Sequence, residues 1–190
     1  MDLFAGIFSA FGLSASAGLN AYIPLLVVAL LGRYTDLITL NKPWDTLTSG
    51  WVIGLLIILG LIEFFADKVP AVNHLNDLIQ TIIRPVAGAI LFAASAQVIT
   101  DVHPVLSLAA GVLVAGGVHT VKAVAIRPTV TAATGGVGNV PVSILEDVIS
   151  TVTSLFAIVV PILLGIILLL ISGWILWIIY KRSQRTQQMN

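Results

Sequence analysis

The stretch TGGVGNVPVSILED, residues 134–147, decides how the chain is organised, because a glycine-rich segment runs directly into a helix start with two adjacent carboxylates. Glycine frees the backbone from helical geometry. Ser143, with Glu146 three residues later, matches the capping box of a helix N-terminus. The stretch therefore predicts a loop and then a helix that begins near Ser143. Breaks of this kind at membrane depth usually line a cavity, so it is also a candidate functional site.

Composition places this stretch inside a membrane protein. Hydrophobic residues make up 58% of the 190-residue chain, charged residues make up only 9%, and the mean hydropathy is +1.06. Ordinary soluble domains carry about 25% charged residues. We therefore predict an all-α, polytopic helical membrane protein with about five spans plus broken or re-entrant segments.

The same composition argues against several functions. Basic and acidic residues cancel to a formal net charge of zero, so we expect no nucleic-acid partner. The absence of cysteine excludes disulfides, thiol nucleophiles and thiolate metal sites. His74, His103 and His119 lack the spacing of metal ligands. Because no motif of a hydrolase nucleophile is present either, we expect no enzyme activity, no cofactor and no metal.

Residues 1–190 are predicted to form a single transmembrane domain. Its parts are a broken span over residues 3–32, one helical hairpin over 51–100, a second over 105–180 and a basic tail over 181–190. Small residues before Asn20 leave two interpretations of the first part open. It is either a long tilted helix that packs closely against a neighbour, or a broken or re-entrant helix that faces a cavity. No basic segment precedes it, so we expect no cleaved signal peptide.

Prolines and polar turns give the predicted helix boundaries. Pro70 and Pro128 should end the helices before them, because the residue preceding a proline avoids helical geometry. Pro85 should kink a helix over residues 73–100. No polar turn interrupts residues 143–180, which predicts one long helix there.

A shift of 70 residues aligns residues 74–82 with residues 144–152, and leucine, aspartate, isoleucine and threonine coincide. A proline precedes each copy, Pro70 in one and Pro141 in the other. This predicts two related hairpins of the kind from which many transporters are built. Whether the two copies are parallel or inverted stays open at this point.

Ionisable residues lie within or beside the apolar spans. They are Glu63, Asp67, Lys68, Asp77, Arg84, His119, Lys122, Arg127, Glu146 and Asp147. One Asp, Lys or Arg at the centre of a spanning helix costs about 2.5 to 3.5 kcal/mol, so these groups need partners or a wet cavity. One interpretation is structural, with pairs such as Asp77 with Arg84 or Glu63 with Lys122 that hold the bundle together. The other is a polar cavity where the polar first halves of the helices over residues 73–100 and 143–180 meet.

The functional interpretation gives a set of candidate site residues. Asp77 and Asp147 would approach each other or a shared ligand, and carboxylates held close together bind protons more readily. His119 is a second candidate proton carrier. Backbone amides after Gly135 could bind an anionic ligand at the helix start. The predicted transport or ligand site consists of Asp77, Glu146, Asp147, Arg84, Lys122, His119, Glu63, Asp67, Asn139 and Asn20.

Two segments of the chain resemble a known family. They are AGLNAYIPL, residues 17–25, and GGVGN, residues 135–139, the second followed by Ser143 and the Glu146-Asp147 pair. The chain resembles the bacterial integral membrane proteins grouped as domain of unknown function 4126, over nearly its whole length. It departs from their pattern at Asn20, where many members carry arginine, and at Val140, where many carry proline. The resemblance implies a multi-span membrane protein without an established activity.

These observations lead to a functional expectation. We expect a small membrane transporter or channel for a polar solute or ion, with an intramembrane acidic and basic site and with proton coupling as one option. The alternatives are a lipid-handling, flippase-like protein and a non-transporting accessory membrane subunit. Expected partners are membrane lipid, a small polar solute or ion, and further copies of the chain in a homo-oligomer. An aromatic girdle at Trp174, Trp177 and Tyr180 is followed by the basic residues Lys181, Arg182 and Arg185. By the positive-inside rule, this predicts a multi-pass protein of the bacterial inner (cytoplasmic) membrane with a cytoplasmic C-terminus.

Overall fold

The computed structural model describes residues 3–68, 70–96 and 103–187, and every regular element in these ranges is helical. A 3₁₀ helix at Trp44–Thr48 and a π-helical segment at Lys122–Ile126 join the α-helices. The α-helices are α1 (Leu3–Leu19), α2 (Tyr22–Tyr34), α3 (Gly50–Ala66), α4 (Pro70–Ala96), α5 (Pro104–Val121), α6 (Arg127–Thr134), α7 (Asn139–Val159) and α8 (Pro161–Gln187). The predicted all-α class is confirmed. Residues 97–100 of the first predicted hairpin and 188–190 of the tail lie outside the described residues.

The helices suit a membrane by length and composition. Four apolar stretches in the described ranges are long enough to cross a bilayer: Asn76–Ser95, Pro104–Thr134, Asn139–Val159 and Pro161–Ile178. Shorter apolar helices occur at Phe4–Leu19, Tyr22–Tyr34 and Gly50–Ala66. Large apolar side chains cover the outside, while Arg84 and Lys122 are buried. This distribution, apolar outside and charged inside, is what a lipid environment favours.

Helix α1 lies in the middle of the bundle and runs antiparallel to α7. Asn20, just after α1, contacts Asp147 near the start of α7. One turn earlier, the Ser16 hydroxyl lies 2.8 Å from that of Ser150 and 2.7 Å from that of Ser154, further along α7. Small polar side chains such as these join buried helices by hydrogen bonds while the backbones stay close.

Helix α2 turns back beside α1. Val28 of α2 lines a small cavity together with Gly6 and Ser9 of α1 and Ile158 near the end of α7. Since Asn20 lies near the start of α7, α2 runs in the direction of α7 and opposite to α1. The break falls at the predicted place, so the first part of the chain is a helical hairpin and not one long tilted helix. That this hairpin re-enters the membrane stays a prediction.

Glycine allows the central helices to pack closely. A Cβ atom on Gly111 of α5 would collide with backbone atoms of Gly88 and Ala89 on α4. The Ser14 hydroxyl of α1 lies 3.2 Å from the Gly88 carbonyl oxygen and 3.0 Å from the Gly111 carbonyl oxygen. Three helices thus meet at one point, as small residues permit in membrane bundles.

The two predicted hairpins have the same orientation. Helix α3 runs antiparallel to α2, because Gly50 faces Arg33 and Gly60 faces Tyr22. It therefore runs in the direction of α1, and so does α5, which is antiparallel to α4. Helices α4 and α7 run the other way. If the hairpins are copies, they are parallel copies; the duplication itself stays a prediction.

Three predicted helix boundaries are wrong. Helix α7 begins at Asn139, so Ser143 lies inside it and does not cap it. Pro141 is tolerated there because the first four helical N–H groups have no intrahelical partner. Pro128 does not end the helix before it, since the π-helical segment carries the chain into α6. The run over 143–180 is interrupted at Val160, whose φ of −138° lies outside the helical range.

Candidate functional site

Six buried charged side chains from five parts of the bundle form one cluster, which we call the charge network. No member exposes more than 7% of its surface. Its carboxylates are Glu63 and Asp67 at the end of α3 and Glu146 on α7; its cations are Arg84 on α4, Lys122 in the π-helical segment and Arg127 at the start of α6. Three positive and three negative charges balance, which burial in a low-dielectric medium requires.

One arm of the network joins α3, α4 and α5. The Arg84 guanidinium donates from Nη2 to Glu63 Oε1 at 2.9 Å, and its Nη1 lies 3.1 Å from His119 Nδ1. Because Arg84 can only donate, His119 Nδ1 accepts and Nε2 carries the proton. Nε2 lies 3.1 Å from Thr81 Oγ1, whose own proton goes to the Asp77 carbonyl oxygen. Both ring nitrogens of His119 are therefore occupied, which favours a packing role over that of a proton carrier.

The second arm is centred on Glu146. Its Oε2 accepts from Lys122 Nζ at 2.7 Å and from Arg127 Nη2 at 3.0 Å. Arg127 Nη2 also lies 3.3 Å from Asp67 Oδ2, so this cation is shared between two carboxylates. Lys122 Nζ donates further to the Leu19 carbonyl oxygen at 3.1 Å, where α1 ends.

Asp67 is held by neutral donors as well. Asn76 donates to its Oδ1 at 2.7 Å, and Ser143 donates to its Oδ2 at 3.1 Å. These bonds link the end of α3 to the beginnings of α4 and α7. They hold the Asp67 carboxylate in place. Its 3.3 Å ion pair with Arg127 is longer than the other ion pairs of the network.

The π-helical segment explains how Lys122 and Arg127 reach the same oxygen. In an α-helix with about 3.6 residues per turn, residues five apart face directions about 140° apart. Here the Arg127 N–H donates to the Lys122 carbonyl oxygen, five residues back. This wider turn brings both side chains onto one face. Single π-turns inside α-helices occur frequently at functional sites.

A second acidic centre lies beside the charge network. Asn20 Nδ2 donates to Asp147 Oδ1 at 2.9 Å, and Asn20 Oδ1 accepts from the backbone N–H groups of Tyr22 and Ile23. Asn20 thus caps the first turn of α2 and holds Asp147 at the same time. Both residues line a cleft of about 320 Å³ between α2 and α3.

The chain was compared with known proteins at the level of families, curated proteins and solved structures. The family model described as Domain of unknown function (DUF4126) matches residues 7–181. The chain belongs to this family. No curated protein and no solved structure matches it.

In this DUF4126 chain, most of the predicted site residues are brought together. Six of them lie in the first and second arms: Glu63, Asp67, Arg84, His119, Lys122 and Glu146. Asn20 and Asp147 form the adjacent centre. The predicted pairs, however, are wrong: Arg84 pairs with Glu63 and not with Asp77, and Lys122 pairs with Glu146 and not with Glu63.

Asp77 and Asn139 lie apart from these contacts. Asp77 is half-buried on α4 and has no ion pair within 4 Å in the described ranges. Asn139 Nδ2 donates to Thr131 Oγ1 across the exposed α6–α7 turn. We find no group of three or more His, Asp and Glu that could hold a metal ion in the part of the DUF4126 chain that the structure describes.

The glycine-rich turn does not line the site. Gly135 and Gly136 have φ values of 62° and 91°, a left-handed backbone that glycine adopts readily. The N–H groups of Val137, Gly138 and Asn139 all donate within the turn or to Thr134. These amides are engaged, which argues against the predicted anion site.

Sequence reasoning missed three members of the site. Arg127 is among the charged residues of the spans but not in the predicted site, although it is the cation shared by two carboxylates. Ser143 was interpreted as a cap, although it donates to Asp67. Asn76 is uncharged and is therefore not among the predicted site residues. Only the spacing of Lys122 and Arg127 could have suggested a shared partner, and only for a reader who expected a π-turn.

Proposed function

We propose that this protein is a small membrane transporter for a polar solute or ion, with the charge network as its coupling element. The observation that carries the proposal is the sharing of partners. Glu146 binds two cations, and Arg127 binds two carboxylates. A network with shared partners has more than one favourable pairing, which a transporter needs in order to change conformation.

Binding of a proton or a cation would change the pairing. Neutralising Glu146 releases Lys122 from its ion pair and removes one of the two carboxylates that Arg127 contacts. Because Lys122 also holds the Leu19 carbonyl oxygen, the change reaches the tip of the α1–α2 hairpin. Local charge and movement of a helix pair are thereby coupled, which supports transport over catalysis.

The accessory-subunit alternative requires a core in which every charged atom is paired. Glu63 Oε2, Arg84 Nε and Glu146 Oε1 are buried and have no hydrogen-bond partner among the described residues. Buried polar atoms without partners cost about 1–3 kcal/mol each. A network kept only for stability would not be expected to retain three of them.

A lipid-handling protein is the second candidate, and the cleft between α2 and α3 favours it. Apolar side chains such as Leu26, Leu61 and Phe64 line this cleft. Lys122 and Arg127, the cations that could bind a lipid headgroup, are buried in ion pairs, however, and do not line it. An apolar molecule entering the cleft would meet Asp147 and not a cation.

The transport proposal can be tested in liposomes that contain a pH-sensitive dye. Addition of small ions and polar solutes to the outside should cause proton movement that empty liposomes do not show. Glu146→Gln should reduce this movement about ten-fold or more, because the carboxylate can no longer exchange a proton or hold two cations. The exposed Asp36→Asn should behave like the wild type. Absence of any solute-dependent proton movement by the wild type would contradict the proposal.

A further inference from the structure

The cleft between α2 and α3 has walls that are almost entirely apolar. Tyr22 and Leu26 form one side, and Leu56, Gly60 and Phe64 form the other. Its volume of about 320 Å³ is at the lower end of the range for small-molecule pockets, about 300–1,000 Å³. The cleft is open at the protein surface, because Phe64 is partly exposed.

The polar lining of the cleft is Asn20 and Asp147, at the end where α2 begins. Asp147 Oδ1 accepts from Asn20, whereas Oδ2 has no hydrogen-bond partner among the described residues. The three carboxylates of the charge network each pair with a cation; Asp147 has none within 4 Å in the same ranges. The cleft therefore ends at a carboxylate that no cation of the described residues pairs with.

The start of α2 does not compensate this charge. A helix N-terminus is normally attractive to anions. Here the Asn20 side chain already accepts from the N–H groups of Tyr22 and Ile23. The nearby ammonium group of Lys68 donates to the Phe64 carbonyl oxygen and lies over the Phe64 ring. The dominant electrostatic feature of the cleft is thus the carboxylate.

We infer that the cleft binds an organic cation that combines one ammonium group with an apolar body. The ammonium group would donate to the Asp147 carboxylate, and the apolar body would lie between α2 and α3. Charge-assisted hydrogen bonds of this kind are among the strongest polar contacts in proteins. The inference deepens the proposed function by naming a substrate class, and it rests on that function for the role of substrate.

Binding can be measured by calorimetry in lipid nanodiscs of phosphatidylcholine. The probes are 2-phenylethylammonium and the neutral 2-phenylethanol, which have a similar shape and differ in charge. The wild type should bind the ammonium probe at least about ten-fold more tightly, because only this probe carries a charge that pairs with the carboxylate. Asp147→Asn should abolish this preference, and Asp36→Asn should retain it.

Two glycines of α3 provide a matched steric control. A Cβ on Gly60 would lie 3.6 Å from the Tyr22 Cβ, so a valine there enters the cleft without striking backbone. A Cβ on Gly54 has no atom within 4 Å. Gly60→Val should weaken binding of both probes, whereas Gly54→Val should leave it unchanged.

Equal affinity for the two probes, or an unchanged preference in Asp147→Asn, would overturn the inference. A co-purified phospholipid that the ammonium probe cannot displace would also overturn it and assign the cleft to lipid. Solute-dependent proton movement in liposomes without ammonium binding would leave the transport proposal standing and remove this one. Ammonium binding without solute-dependent proton movement would leave this inference standing and remove the transport proposal.

Discussion

Arg84 is fully buried, yet among the described residues its terminal nitrogens bond only to Glu63 and His119. A guanidinium in this position depends on its partner, because removal of either member leaves an uncompensated buried charge. Replacing both members by apolar residues of similar volume removes the charge and the need for it. The stability lost by a substitution here therefore depends on whether an unpaired buried charge remains, and not on how many contacts are lost.

At this pair, we expect Arg84→Met to lower the free energy of unfolding by about 3–5 kcal/mol. The double variant Arg84→Met, Glu63→Leu should be more stable than Arg84→Met alone, because it no longer buries a lone carboxylate. The stability of both variants is measured as the fraction of protein that stays monodisperse in detergent after heating. Asp45→Asn, in the 3₁₀ helix outside the network, is the control. A double variant less stable than either single variant would contradict this explanation.

Individual elements show why part of the fold was predictable. Local preferences, which the sequence displays directly, predict the glycine break after Thr134 and the break at Asn20. They also predict the separate polar and apolar faces in the first half of α4. Charged residues in apolar spans also had to find partners, so a buried polar site was predictable. Their pairing was not, because it depends on how each helix is rotated. The π-helical segment sets that rotation for Lys122 and Arg127, and it has no sequence signature.

Helix contacts in the centre of the bundle give a second prediction. Gly111→Ala should destabilise the protein by about 1–3 kcal/mol, because the added methyl group meets backbone of α4 that cannot move aside. Gly117→Ala is the matched control on the same helix, where a Cβ has no atom within 4 Å. It should be neutral or stabilising, since alanine favours a helix more than glycine does. Equal thermal stability of the two variants would show that α4 and α5 are not in close contact.

The directions of the helices place their ends and connections at two opposite ends of the bundle. The start of α1, the connection between α2 and α3 and the ends of α4 and α7 lie at one end. The α3–α4 connection and the α6–α7 turn lie at the other. Because the α1–α2 hairpin returns to the end where it begins, residues before and after it share a side of the membrane.

The absence of cysteine makes this arrangement testable by labelling single introduced cysteines in sealed vesicles. Phe4→Cys and Asp36→Cys should react with an impermeant maleimide from the same side. Val137→Cys, in the exposed α6–α7 turn, should react from the opposite side. The label on a detergent-solubilised sample gives the total for each position. Labelling of Phe4→Cys and Asp36→Cys from opposite sides would mean that residues 3–34 cross the membrane once.

The position of α1 also has a consequence for biosynthesis. Its Ser16 meets Ser150 of α7 across a sequence separation of 134 residues. Helix α1 leaves the ribosome before α2 to α8, so this central helix of the bundle waits for α7 to be made. Contacts this distant in sequence slow folding, because the intervening chain has to be ordered first. Until α7 is made, the Ser16 hydroxyl and the Asn20 amide group face lipid, water or another protein, so we expect the nascent chain to need a chaperone at that stage.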